Sequence, residues 1–142
     1  MCVIIDANQL GDFVNITSPG MTLLREWVEN RGKVVYSTSG KYAREIRRHD
    51  RARKKLEEYV RRGNAKIFDG ETCENAAREF DNYDINSNDA HILGLAKVAG
   101  ATLLCTDDRM LMRDFKEHIS NGKVYPPRRA DQEKVLRERT CP

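Results

Sequence analysis

Apolar positions in this chain fall into short runs set apart by longer stretches with helical spacing. Runs at Cys2 to Ile5, Lys33 to Tyr36, Ala65 to Phe68, Thr102 to Cys105 and Lys123 to Tyr125 have the length and composition of strands. The first intervening stretch places Ser18 and Pro19 as N-cap and first helical residue, puts Leu23, Leu24, Trp27 and Val28 on one stripe, and stops at Gly32. A second helix follows Ser37-Thr38-Ser39-Gly40 and carries Tyr42, Glu45 and Ile46. After Asp50 a highly charged helix runs to Arg62, ahead of a Gly63-Asn64 turn. The pattern from Glu71 to Phe80 predicts a further helix, less strongly marked. Asp81 to Asn88 is polar and turn-like. It leads into a helix from Asp89 to Val98 whose buried stripe is Ile92, Leu95, Ala96 and Ala99, closed by Gly100. Strands alternating with helices predict an α/β fold with a parallel sheet covered on both faces.

After Tyr125 the run Pro126-Pro127-Arg128-Arg129 breaks the pattern, and Ala130 to Arg139 predicts a terminal helix with Val135 and Leu136 as its large apolar residues. Residues 1–125 are expected to form one domain and 126–142 an appended tail. A length of 142 residues is enough to bury a core without staples. No internal repeat stands out. With 25 Lys and Arg against 22 Asp and Glu, the net charge of +3 identifies no partner by itself. The apolar runs are far too short to span a membrane, and no basic start precedes an apolar signal core. A soluble, cytoplasmic protein without a membrane partner is therefore expected. Cys2, Cys73, Cys105 and Cys141 form no C-x-x-C pair and are expected to be reduced thiols.

Two of the strand-like runs end on carboxylates: Val3-Ile4-Ile5 on Asp6, and Leu103-Leu104-Cys105-Thr106 on Asp107-Asp108. In open α/β sheets the C-terminal strand ends are where ligands bind. One such aspartate is equally well explained as a turn residue or helix N-cap. Here, however, Glu45 and Asp89 lie near the starts of two intervening helices, on the same edge. Crowded carboxylates repel and raise one another's pKa unless a cation neutralises them. Hard oxygen donors favour Mg2+ or Mn2+, one or two ions, over zinc. His91 is the exception among these oxygens. Its spacing on the helix turns it away from Asp89, as a surface or outer residue.

Met1 to Asn8, Gly40 to Glu45, Asn88-Asp89-Ala90-His91-Ile92-Leu93-Gly94-Leu95-Ala96 and Gly100 to Leu111 together resemble a PIN domain, over roughly residues 1–125. The resemblance implies a Rossmann-like three-layer α/β/α sandwich with a parallel five-stranded sheet ordered 3-2-1-4-5, and a metal-dependent ribonuclease of the kind that includes VapC-like toxins of toxin–antitoxin pairs. It implies Asp6, Glu45, Asp89 and Asp108 as catalytic acids, with Asp107 adjacent, and Asp6, Asp89, Asp107 and Asp108 as metal ligands. Thr106 and Asn8 would support the site. RNA is the implied substrate, with DNA left open. An inhibitory antitoxin-like protein and a second copy of the chain are candidate partners.

The segment from Lys41 to Lys66 is strongly basic, and Lys41, Arg44, Arg47, Arg48 and Arg51 lie next to Glu45, where they could hold a phosphate backbone. Alternatively it is a solvated face of intrahelical pairs. Arg128 and Arg129 could extend the patch. Tyr42, Tyr59 and Tyr83 could stack on bases, although tyrosine at helical spacing is commonly core. Two other functions remain: a catalytically silent nucleic-acid-binding member of the same family, and a receiver-like phosphoacceptor using Asp69.

Overall fold

The structure is a computed structural model that describes residues 2–38, 40–127 and 132–137. The described residues form a five-stranded sheet in the order β3-β2-β1-β4-β5, every pairing parallel. The strands are β1 (Val3–Ile5), β2 (Val34–Ser37), β3 (Ala65–Phe68), β4 (Leu103–Cys105) and β5 (Lys123–Tyr125). Helices α1 (Ala7–Asn15), α2 (Pro19–Asn30), α3 (Gly40–Arg47), α4 (Asp50–Arg62), α5 (Gly70–Arg78), α6 (Ala90–Ala99), α7 (Arg109–His118) and α8 (Gln132–Arg137) make the crossovers and cover the sheet, with a 3-10 turn at Glu79–Asn82. This order excludes the receiver reading, since flavodoxin-like receivers order their strands 2-1-3-4-5. Asp69 instead caps α5, accepting from the Thr72 N–H at 2.9 Å and its hydroxyl at 2.8 Å.

The central strands are apolar on both faces because both are covered: Val3, Ile4 and Ile5 of β1 and Leu103, Leu104 and Cys105 of β4 are all 0% exposed. Val3 pairs with Leu103 and Ile5 with Cys105. The Asp6 N–H continues this ladder by donating to the Cys105 carbonyl at 3.0 Å. Ser18 caps α2, its hydroxyl accepting from the Met21 N–H at 3.2 Å, with Pro19 behind it. Helix α1 has no counterpart among the elements predicted above; its buried residues are Gln9, Leu10 and Phe13. Gly94 lets α6 settle on α5, for a Cβ there would stand 2.6 Å from the Cys73 carbonyl oxygen. Gly100 ends α6 in the left-handed conformation, with φ of 65°.

Among the described residues no helix is long and apolar enough to cross a membrane. Cys73 and Cys105 are free and buried. Cys2 is disulfide-bonded, which corrects the expectation of four reduced thiols. Cys141 lies outside the described residues, as do Ser39 of the turn before α3 and the tail arginines Arg128 and Arg129. The predicted Ala130 to Arg139 helix is described only as α8, whose Leu136 packs into the core.

Candidate active site

Asp6 leaves β1 at the C-terminal edge of the sheet and is 6% exposed. Its Oδ2 accepts a hydrogen bond from the fully buried Thr106 hydroxyl at 2.9 Å. Burial pushes the Asp6 carboxyl above its ordinary range, and the charges of Asp89 and Asp108 push the same way, against hydrogen bonds from Thr106 and the Asn8 backbone. Asn8 itself is exposed.

Glu45 reaches this edge because α3 is pinned to the end of β1: the Tyr42 hydroxyl, one turn earlier, donates to the Ile5 carbonyl. Its carboxyl is also raised, first by burial and then by Asp6 and Asp89, while Lys41 and Arg48 pull it down. Asp89 stands at the N-cap position of α6, yet its side chain makes no capping bond. It is ion-paired with Lys41 instead, Nζ to Oδ1 at 3.3 Å, and Lys41 also donates to the Asn88 carbonyl at 3.4 Å. Asp108 does cap, its Oδ1 accepting from the Met110 and Leu111 N–H groups at 2.9 and 3.3 Å. Asp107 is exposed. Asp6, Glu45, Asp89 and Asp108 thus share one electrostatic neighbourhood.

His91 corrects an expectation. Far from turning away, its Nδ1 lies 3.9 Å from Asp89 Oδ1, and its ring sits 6.2 Å from that of Tyr42. Burial pushes its pKa down to about 4, with Lys41 adding to the effect against Asp89, so the ring is neutral at pH 7. Tyr42 consequently ties together the ends of β1, α3 and α6, a role that its helical spacing disguised as ordinary core. Tyr42 and Tyr59 are buried at 1% and 0% exposure, while Tyr83 is 56% exposed.

The basic segment divides in two. On α4, Arg53 pairs with Asp50 and Glu57, and both Lys55 and Arg62 pair with Glu58; this is the solvated-face arrangement. Arg51 donates to Asn15 Oδ1 at 2.7 Å and so braces α4 against α1. Arg44, Arg47 and Arg48 are exposed and make no ion pair among the described residues.

The chemistry of the donor set fits a hard divalent cation: carboxylate oxygens dominate, and two of the carboxyls, Asp6 and Glu45, are raised first by burial and then by neighbouring carboxylates. Among the described residues, however, no three His, Cys, Asp or Glu side chains are grouped to hold a metal ion by themselves. That affects the expected ligands Asp6, Asp89, Asp107 and Asp108 alike. Magnesium commonly takes only one or two carboxylates and completes its shell with water and substrate phosphate, so the set fits a shared site and not a closed protein cage.

The family model of the PIN domain matches residues 3–117. The chain belongs to the PIN domain family. The match takes in all four acids, and the sheet order is that of a PIN-like α/β sandwich. PIN domains are generally nucleases. No curated protein and no solved structure matches the chain.

Proposed function

We propose that this PIN domain is a divalent-metal-dependent nuclease, acting as an endoribonuclease on phosphodiester bonds. The observation that supports it is the convergence of Asp6, Glu45, Asp89 and Asp108 at one sheet edge, with burial and mutual charge raising Asp6 and Glu45. Asp6 and Asp89 would hold Mg2+ or Mn2+, with Asp108 alongside. When bound, one or two such ions polarise the scissile phosphate and make a water nucleophilic at neutral pH. Glu45, half-buried with a raised carboxyl, is suited to accept the proton of the attacking water. Thr106 holds Asp6 in place through its hydroxyl. Arg44, Arg47 and Arg48 present unpaired charge to the substrate's phosphates. Lys41 must release Asp89 when a cation arrives there.

One observation favours a second reading, a silent nucleic-acid-binding module: the Lys41 ammonium already neutralises Asp89. Incubating the purified protein with labelled RNA and single-stranded DNA in Mg2+, Mn2+ or EDTA separates the two. Divalent-dependent internal cleavage of RNA, lost in Asp89→Asn, is the expected result. Binding without cleavage in every metal overturns the enzymatic reading, and cleavage of DNA alone overturns the substrate. Candidate protein partners, an antitoxin-like inhibitor or a second copy, belong to this reading as well.

A further inference from the structure

Asp114, in the middle of α7, is 0% exposed, lies between the core residues Leu111 and Phe115, and makes no ion pair among the described residues. A buried carboxylate without a cation is costly unless its oxygens are saturated by donors. They are. Oδ1 accepts from the Asn86 N–H at 2.8 Å and from Asn86 Nδ2 at 3.0 Å; Oδ2 accepts from the Ser87 N–H at 2.7 Å and from the Ser87 hydroxyl at 2.6 Å. Burial opposes ionisation, but these hydrogen bonds outweigh it and the carboxyl is held below its ordinary range. The Ser87 Oγ then accepts from the Asp89 N–H at 3.4 Å. A continuous hydrogen-bonded path therefore runs from Asp114 through Ser87 to Asp89.

The segment's other holds are Lys41, a half-exposed side chain that donates to the Asn88 carbonyl and pairs with Asp89, and the Tyr83 ring, which packs on Phe80 and His118. Residues 81–84 are exposed, Ile85 is only partly packed on the core, and beyond the 3-10 turn at Glu79–Asn82 the chain runs as bends and irregular backbone up to Asp89. Asp89 has no capping bond to set its direction. Its carboxylate must nevertheless stand beside the like charges of Asp6 and Glu45, which push it outward. An apolar side chain at position 114 would fill the core more cheaply while leaving this segment free to recoil.

We propose that Asp114 is a positioning residue that fixes the chain at Asn86 and Ser87 and thereby holds Asp89 against the repulsion of Asp6 and Glu45. The proposal rests on reading Asp89 as an acid of the active site. Asp114→Asn keeps the size of the side chain but turns an amide toward donors where an oxygen stood. The metal-free protein is tested by amide hydrogen exchange. Exchange at residues 86–89 should accelerate by about 10-fold or more, the equivalent of about 1.4 kcal/mol, while the strands keep their protection. In the cleavage assay kcat should fall about 10- to 100-fold with KM for RNA nearly unchanged, because an acid is misplaced and not a binding contact. Half-maximal rate should also need more Mg2+. Ser87→Ala, which removes the hydroxyl's bonds to Asp114 and to the Asp89 N–H but leaves the Asn86 donors and the Ser87 N–H on Asp114, should reproduce the kinetic effect more weakly and keeps the test open if Asp114→Asn folds poorly. Wild-type kcat and metal requirement in both variants, beside an inactive Asp89→Asn, overturn the positioning role and leave the nuclease reading standing. If the wild type cleaves nothing, the nuclease reading fails, and exchange alone decides: unchanged protection at residues 86–89 overturns the proposal.

Discussion

The Thr106 hydroxyl donates to Asp6 Oδ2 at 2.9 Å and accepts from the Asp108 N–H at 3.1 Å, so a single buried oxygen couples the ends of β1 and β4. Thr106→Val keeps the shape and removes both bonds. Leaving a buried acceptor and a backbone donor unpaired should cost about 1–3 kcal/mol, visible in thermal unfolding, and cleavage should drop with it because Asp6 loses its anchor. A variant as stable and as active as wild type would show that this oxygen organises nothing.

Asp6→Asn should abolish cleavage and leave the metal-free protein as stable or more so at pH 7. The sign follows from linkage. A carboxyl raised on folding binds its proton more tightly in the native state, so its contribution to stability falls as pH rises from about 4 through the raised folded value. The melting temperature of Asp6→Asn relative to wild type should therefore climb by a few degrees, on the order of 1 kcal/mol, between about pH 4.5 and pH 7. His91 acts oppositely: its folded value of about 4 lies below its ordinary one, so its contribution is lost as pH falls toward about 4. That effect is common to both proteins and cancels. A difference independent of pH would show that Asp6 is not under charge strain.

Arg47→Ala combined with Arg48→Ala should weaken RNA binding and flatten its salt dependence by about 0.7 log units per lost contact on a single strand. Turnover at saturating RNA should hardly change. Arg53→Ala, which removes a partner of Asp50 and Glu57, is the control and should leave the slope alone. Equal slopes in all three proteins would assign the substrate to another face.

Asp108→Asn should lower activity far more than Asp107→Asn and raise the Mg2+ concentration for half-maximal rate. Asparagine remains a competent N-cap, so the unfolding temperature should barely move, whereas Asp108→Ala should lose about 1 kcal/mol of stability in addition. Comparable kinetic losses at positions 107 and 108 would make both acids functional; the reverse order would move the acid register by one residue.

Much of the framework was legible in the chain itself. Buried central strands leave unbroken apolar runs, and Ser18-Pro19 and Gly100 mark helix ends through chemistry that acts within a few residues. The placement of Asp6 and Asp89 at element ends was legible for the same reason, each following or preceding a clear periodic element. What was hidden depends on partners distant in sequence. Lys41 reads as one more charge in a basic stretch, and only packing of α3 beside α6 turns it onto Asp89. Asp114 looks like a polar interruption in α7, because its four donors lie 27 and 28 residues away. Helical spacing alone hides the place of His91 beside Asp89 and Tyr42: the angle between neighbouring side chains says nothing about which element comes to meet them. Helix α1, short and interrupted by Gly11, gave too little periodicity to register.

The strand order also has a consequence for how and when the site comes into being during synthesis. β1 emerges first but lies at the centre of the sheet, flanked by β2 and by β4, and its pairing with β4 joins residues a hundred positions apart. A nascent chain still lacking β4 can pair only one flank of β1 and has neither Thr106 nor Asp108 to set beside Asp6. Contacts this distant close late because of their loop entropy. Under the nuclease reading, a partly made or truncated chain carries basic surface and three of the four acids, yet remains inert until its final third has docked.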